Sequence, residues 1–234
     1  MKIPLPYLIS NTIEDVYLFY INIKNAFYNF YHFIIEVLSF YGNKNLRNID
    51  IELFKKYALR DQFTVATEEG RIMFPDSKEE LTYGEAIWKS IDKVMKYIDP
   101  KPNQKFYDLG CGTGRICFLA SIKYNLKATG IELLPTFIDN ARRISHKFNL
   151  ENISFIQTDW LEYDFSDADI IYVAATCLEN DTLILLTEKI QGLNVGTYII
   201  SVSHQINSHK MQLMKKMSLP FSWGKADVFI AKVI

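Results

Sequence analysis

Past residue 100, short apolar runs alternate with segments whose apolar positions return every three or four residues. The runs predict strands at 105–108, 127–131, 153–157, 168–174, 197–203 and 226–233, and the segments between them predict helices at 114–123, 136–148 and 180–191. This alternation predicts an α/β fold, a doubly wound sheet covered by helices, with ligands received at the carboxyl ends of its parallel strands. Upstream the pattern changes. Between Val16 and Tyr41 the polar residues Asn22, Asn25, Asn29, His32, Glu36 and Ser39 return at alternating steps of three and four, which predicts a helix with one narrow polar stripe and a wide apolar face rich in Phe and Tyr. Its longest apolar run, 16–21, is far short of the ~20 residues a membrane-spanning helix needs. The apolar face is expected to be buried against the α/β domain or in a dimer. Peripheral contact with a membrane is the alternative, weakened because Lys24 is the lone cation of the segment. The change of pattern divides the chain near residue 80 into an N-terminal helical extension, 1–80, and an α/β domain, 81–234.

The first strand of that domain ends in Asp108-Leu109-Gly110-Cys111-Gly112-Thr113-Gly114-Arg115. Three alternating glycines permit positive φ and close backbone approach to a ligand, and the helix that follows presents unpaired N–H groups at its start. A dinucleotide fingerprint G-x-G-x-x-G would need glycine where Arg115 stands, and a carboxylate at Asp108 would repel a pyrophosphate. A ligand with a positive or neutral head is expected instead. The second strand ends in Glu132, at about the spacing, some 20 residues on, at which an acid accepts ribose hydroxyls in nucleoside-binding folds. After the third strand, Asp159 can take an adenine amino group and Trp160 can cover the base.

The pattern D-x-G-x-G-x-G resembles motif I of class I S-adenosylmethionine (SAM) methyltransferases. Tyr83-Gly84-Glu85 ahead of the first strand, Gly130-Ile131-Glu132-Leu133-Leu134-Pro135, the stretch 158–173 and Ser222-Trp223-Gly224-Lys225 together resemble, over residues 80–234, the non-SET histone-lysine methyltransferases of the disruptor-of-telomeric-silencing type and their bacterial relatives. That resemblance implies a class I methyltransferase fold with an antiparallel last strand, SAM as cofactor and S-adenosylhomocysteine as product. It implies cofactor contacts from Tyr83, Glu85, Asp108, Gly110, Cys111, Gly112, Gly114, Arg115, Glu132, Asp159, Trp160 and Thr176. The Tyr83–Glu85 segment is expected to close over the cofactor, with Tyr83, Thr176, Trp223 and Phe229 lining the acceptor channel. A plainer reading makes Thr82 and Glu85 the capping box of the next helix. The chain departs from the family where paired asparagines usually follow the fourth strand, because Ala174, Ala175, Thr176 and Cys177 stand there, and it has Ala86 and Phe229 where relatives place Thr and Tyr.

The expectation is therefore an enzyme that methylates a lysine side chain on a non-histone or unspecified protein. A small-molecule methyltransferase with the N-terminal helix as lid is the alternative, and a non-catalytic SAM-binding module the third reading. Composition narrows the partners. A 234-residue chain that is 49% hydrophobic can bury a substantial core, while a formal net charge of −1 gives little electrostatic drive toward nucleic acid, which is not an expected partner. Three cysteines without metal-ligand spacing, and four histidines without an acidic cluster, predict no metal site. With no cleavable signal pattern, a cytoplasmic location is expected. The acidic run Asp164, Asp167 and Asp169 reads as a solvated loop, with an electrostatic lure for a basic substrate as its alternative.

Overall fold

The structure, a computed structural model, describes the backbone of residues 5–73 and 83–234, with side chains from Val16 onward. Four helices come first, α1 (Leu5–Phe40), α2 (Lys44–Tyr57), α3 (Gln62–Met73) and α4 (Trp88–Ile98). The α/β alternation follows: β1 (Lys105–Leu109), α5 (Arg115–Tyr124), β2 (Lys127–Glu132), α6 (Pro135–Lys147), β3 (Ile153–Gln157), β4 (Ile170–Ala174), α7 (Asn180–Ile190), β5 (Tyr198–Val202), β6 (Met211–Phe221) and β7 (Gly224–Val233). Every strand and helix expected past residue 100 is present, with ends moved by at most two residues. The addition is β6. It lies at the sheet edge, exposed along most of its length and with Pro220 near its end, so no buried face imposes an alternating pattern on its sequence.

The seven strands are ordered β3-β2-β1-β4-β5-β7-β6. Strands β1 to β5 pair in parallel, and β7 runs antiparallel to both β5 and β6. The chain leaves β1 toward β2 on one side and reaches β4 on the other, which opens a crevice at the carboxyl ends of these strands. Register brings the β6–β7 turn to the same end, because Val202 at the end of β5 faces Val228 near the start of β7. The acidic run is at the opposite end. Asp169 accepts the Lys105 N–H at 2.7 Å at the start of β1, and Asp167 pairs with the Lys105 ammonium and accepts the Tyr107 hydroxyl at 2.8 Å. These carboxylates tie down the amino end of the sheet, away from the ligand end, rather than serving as a lure for a basic substrate.

Both faces of the sheet are buried, which is why its central strands read as nearly continuous apolar runs. On one face Phe106, Tyr172 and Ile200 share a core with α4, α5 and α6, and that core continues into Leu46, Ile49, Leu53 and Tyr57 of α2 and Val65 of α3. On the other, Ile171 and Ile199 pack with Leu186 and Ile190 of α7. The boundary expected near residue 80 lies outside the described residues.

Helix α1 corrects the first of the two placements expected for its apolar face. Its apolar face is not buried against the α/β domain: Tyr17 is 61% exposed, Phe27 71% and Leu38 80%. The polar stripe turns inward at its C-terminal end instead, where Glu36 is buried. A buried carboxylate demands partners, and pairing Glu36 fixes the rotation of the helix so that most of its aromatic residues point outward.

Candidate active site

The loop between β1 and α5 is built by its glycines, with φ of +78° at Gly110, +51° at Gly112 and +78° at Gly114, a region costly for side chains. A Cβ on Gly112 would stand 2.8 Å from the Tyr83 ring, and one on Gly114 2.4 Å from Phe155, whereas a Cβ on Gly110 would meet nothing within 4 Å. Two glycines thus let neighbours close on the loop and the third leaves its backbone open. The loop is anchored through Gly110 and Cys111, whose N–H groups donate to the Ile131 carbonyl at 2.9 and 3.0 Å, and through Gly112, which donates to Glu132 Oε2 at 2.9 Å. Glu132 Oε1 accepts from the Leu133 and Leu134 N–H groups at 2.8 and 3.1 Å. Three of the roughly four acceptor positions of a carboxylate are therefore taken, leaving room for one ribose hydroxyl rather than the two expected. Burial raises the Glu132 pKa, and the three N–H groups counter that shift.

Asp108 changes the charge argument made from the sequence. It is buried beneath the loop with the Cys117 thiol 3.7 Å from Oδ2, and desolvation pushes its pKa up to about 8. Its carboxyl group is thus largely protonated at neutral pH, so it neither repels a pyrophosphate nor offers a full charge to a cation. Cys111 is also buried, and burial raises its thiol to about 11, as expected of packing rather than reactivity.

The segment from Tyr83 to Glu85 lies across this loop. The Tyr83 hydroxyl donates to Glu85 Oε1 at 3.0 Å and stands 3.4 Å from Thr113 Oγ1, and its ring packs against Phe137 at 5.3 Å. The segment is stapled to the β6–β7 turn: Ser222 Oγ accepts the Glu85 N–H at 2.9 Å, and the Ser222 N–H donates to the Glu85 carbonyl at 3.1 Å. Gly84 makes the staple fit, because a Cβ there would lie 2.5 Å from the Trp223 ring. Trp223 stacks on Phe221 at 4.7 Å and keeps 39% of its surface exposed. Trp223, far along the sequence from Tyr83 and Glu85, thus converges with them beside the glycine loop. Thr113 and Ser222 complete the cluster and had no separate signal in the sequence.

The capping-box reading fails. Thr82 lies outside the described residues, and α4 begins at Trp88 with Ile87 as its cap residue, so Glu85 is too early to serve as its third position. The cap comes from another helix: Glu36 Oε1 accepts the Trp88 N–H.

Arg115 is a second correction. It points away from the glycine loop into a buried cluster, where Nη2 donates to Glu36 Oε2 and to Asp50 Oδ1, each at 2.9 Å, and Nε donates to Asp50 Oδ1 at 3.1 Å. Its guanidinium lies 4.4 Å over the Trp88 ring, and Nη1 is 4.0 Å from Glu85 Oε2. Because three surrounding carboxylates outweigh its desolvation, its pKa is raised and it stays charged. It joins the first helix of the α/β unit to α1, α2 and the Tyr83–Glu85 segment, and it is not placed to contact a ligand.

The other expected residues are dispersed. Asp159 Oδ1 accepts the Leu161 N–H at 2.8 Å, which shapes the turn after β3 at the ligand end. Trp160 is buried in the α7-side core, so its ring is part of the packing. Thr176 is exposed in a single 3-10 turn after β4, with Oγ1 2.9 Å from Ser203 Oγ, at the rim of the crevice. Phe229 stays inside the sheet opposite Ser201, five residues along β7 from Gly224, or roughly 16 Å at the rise of a strand. Strand length separates it from the Trp223 cluster. Among the described residues no group of His, Cys, Asp and Glu is arranged to hold a metal ion.

The methyltransferase-domain family model matches residues 100–228. The chain is 25% identical over 142 residues to the H3 lysine-79-specific histone-lysine N-methyltransferase of Candida albicans, and 23% identical over 159 residues to that of Debaryomyces hansenii. These matches cover 54% and 61% of this chain but only 11% and 14% of those much longer proteins. Among solved structures it resembles an RNA methyltransferase from Salinibacter ruber in complex with S-adenosyl-L-homocysteine, with a TM-score of 0.52, 23% identity, and 61% of this chain and 89% of that one covered. It also resembles TrmN from Thermus thermophilus, with a TM-score of 0.56, 16% identity, and 77% of this chain and 52% of that one covered. At these identities the structural likenesses speak to the fold alone.

Proposed function

Because the chain belongs to the methyltransferase-domain family and is a SAM-dependent methyltransferase, we propose that its methyl acceptor is the side-chain amine of a protein lysine. The observation that carries this reading is the stapled rim, in which Tyr83, Gly84 and Glu85 cover the glycine loop and the half-exposed Trp223 ring adjoins them. The likeness to histone-lysine methyltransferases supports it, on a part of those proteins.

The residues present fit the cofactor. Gly110 leaves the loop backbone open, Glu132 is a rigid acceptor at the end of β2, and Asp159 stands at the end of β3, a sequence of contacts suited to an amino-acid tail, a ribose and an adenine. SAM, when bound, supplies an electrophilic methyl group on a sulfonium. Tyr83 and Trp223 exclude water beside it and hold an incoming amine in line, so that positioning and desolvation lower the barrier. A lysine entering among aromatic rings has its pKa depressed by desolvation and arrives neutral more often, so no side chain needs to act as a strong base.

Transfer of label from methyl-labelled SAM into a lysate, followed by separation into protein, RNA and small-molecule fractions, tests the acceptor class. Label in protein, released as methyllysine on hydrolysis, is the expected result. Label confined to RNA or to small molecules overturns the lysine reading without touching the cofactor. The cofactor contacts are tested separately by calorimetry of Glu132→Ala. Loss of a hydrogen bond to a charged group costs about 1.5–3 kcal/mol, which corresponds to roughly tenfold or more in SAM affinity. Unchanged affinity removes Glu132 from the cofactor site.

A further inference from the structure

The outward face of α1 is the largest feature the enzyme reading leaves unused. Between Val16 and Leu38, the rings of Tyr17, Phe19, Tyr20, Phe27, Phe30 and Tyr31 are each 61–71% exposed. We propose that this face is a self-association surface, on which a second copy of the chain packs its own α1 to form a two-fold dimer.

The area favours it. At ~150–250 Å² per aromatic side chain, six rings exposed by about two thirds present roughly 600–1,000 Å², before the aliphatic neighbours are added. The largest apolar patch of a typical monomer is ~300–600 Å², and a stable interface takes ~800 Å² from each partner. The charge pattern also favours it. Lys24 is the one Lys, Arg, Asp or Glu residue between positions 16 and 35, so like-charge repulsion scarcely opposes the approach of an identical helix. A helix lying on an anionic bilayer would be expected to carry several cations along its polar face, and Asn22, Asn25 and Asn29 occupy that stripe instead.

The anchoring of α1 sets the direction. Glu36 and Phe40 are buried at its C-terminal end, so the α/β domain hangs from that end. Parallel pairing would bring both domains to the same place. Antiparallel pairing centred on the 16–38 face sets them at opposite ends of that face, about 22 residues or roughly 33 Å apart at 1.5 Å per residue, and places unlike segments of the two helices together on either side of the axis.

Sedimentation equilibrium of the full chain at micromolar concentration tests the proposal, with and without phosphatidylcholine vesicles. The expected mass is twice the 27.2 kDa of one chain, unchanged by vesicles. The variant Phe27→Lys/Tyr31→Lys should sediment as a monomer while keeping parental circular dichroism and SAM affinity, its dimer dissociation constant weakened about a hundredfold or more, tenfold per lost contact of 1.4 kcal/mol. If the double variant does not fold, Tyr31→Lys alone should weaken the dimer about tenfold. A parental chain that is monomeric in buffer overturns the proposal, whether it stays free or is carried down by vesicles. A dimer that persists in the folded variant overturns the assignment to α1.

Discussion

Asp108 shows how far a single residue departs from what its letter suggests. In sequence it is an acid at the head of a glycine loop. In the fold it is buried beside Cys117, with burial pushing its pKa up to about 8. A group whose pKa is raised on folding contributes stability that is fully present below its unfolded value, ~3.9, and is lost as pH climbs toward the folded value. Asp108→Asn holds the group neutral at every pH. The difference in thermal midpoint between variant and parent should therefore be smallest at about pH 4 and grow in favour of the variant up to about pH 8–9. A difference that stays flat over this range would mean that Asp108 is ionised throughout. Burial at this position follows from the strand being covered on both faces, which the apolar run shows, but the fate of the one acid within the run depends on α5 packing above it.

At the scale of elements, α1, α2, α5 and the Tyr83–Glu85 segment meet at one guanidinium. Removing Arg115 leaves Glu36 and Asp50 facing each other in a buried setting, a loss on the order of 3–5 kcal/mol. Glu36→Gln should cost less, because Asp50 still balances Arg115 and the glutamine oxygen can still cap Trp88. Urea unfolding of Arg115→Met and Glu36→Gln checks the order; equal losses would mean that two unbalanced carboxylates cost no more than the loss of one. The parallel strands and their helices were legible because two-sided burial writes itself as apolar runs, and the glycine loop because its backbone geometry demands glycine. The Tyr83 and Trp223 segments were recognisable as motifs, though not as neighbours. The rotation of α1 was not legible. Its wide apolar face argued for burial of that face within the chain, whereas Glu36 decided the outcome through partners at the start of α4 and in α5, far along the chain. The direction of Arg115 was hidden for the same reason, since adjacency to a glycine loop says nothing about which way a long side chain turns.

At the scale of the molecule, the core on the α5 face is continuous from Phe40 in α1 through α2 and α3 to the sheet. Helices on either side of residues 74–82 therefore share apolar packing with the sheet. A protease site placed at 74–82 should yield two pieces that remain together on gel filtration and still bind SAM, parting only in denaturant. Separation of the pieces in buffer would show that the helical piece does not depend on the sheet. The same continuity bears on how the active unit can be divided. A polypeptide starting at residue 80 would lack Glu36 and Asp50, so Arg115 would have no carboxylate but Glu85, and α4 would begin uncapped. Supplied separately, residues 1–80 would bring back both acids together with the apolar surface of α2. The two halves thus have the makings of a complementing pair: neither methylates alone, and activity returns on mixing in a stoichiometry of one to one.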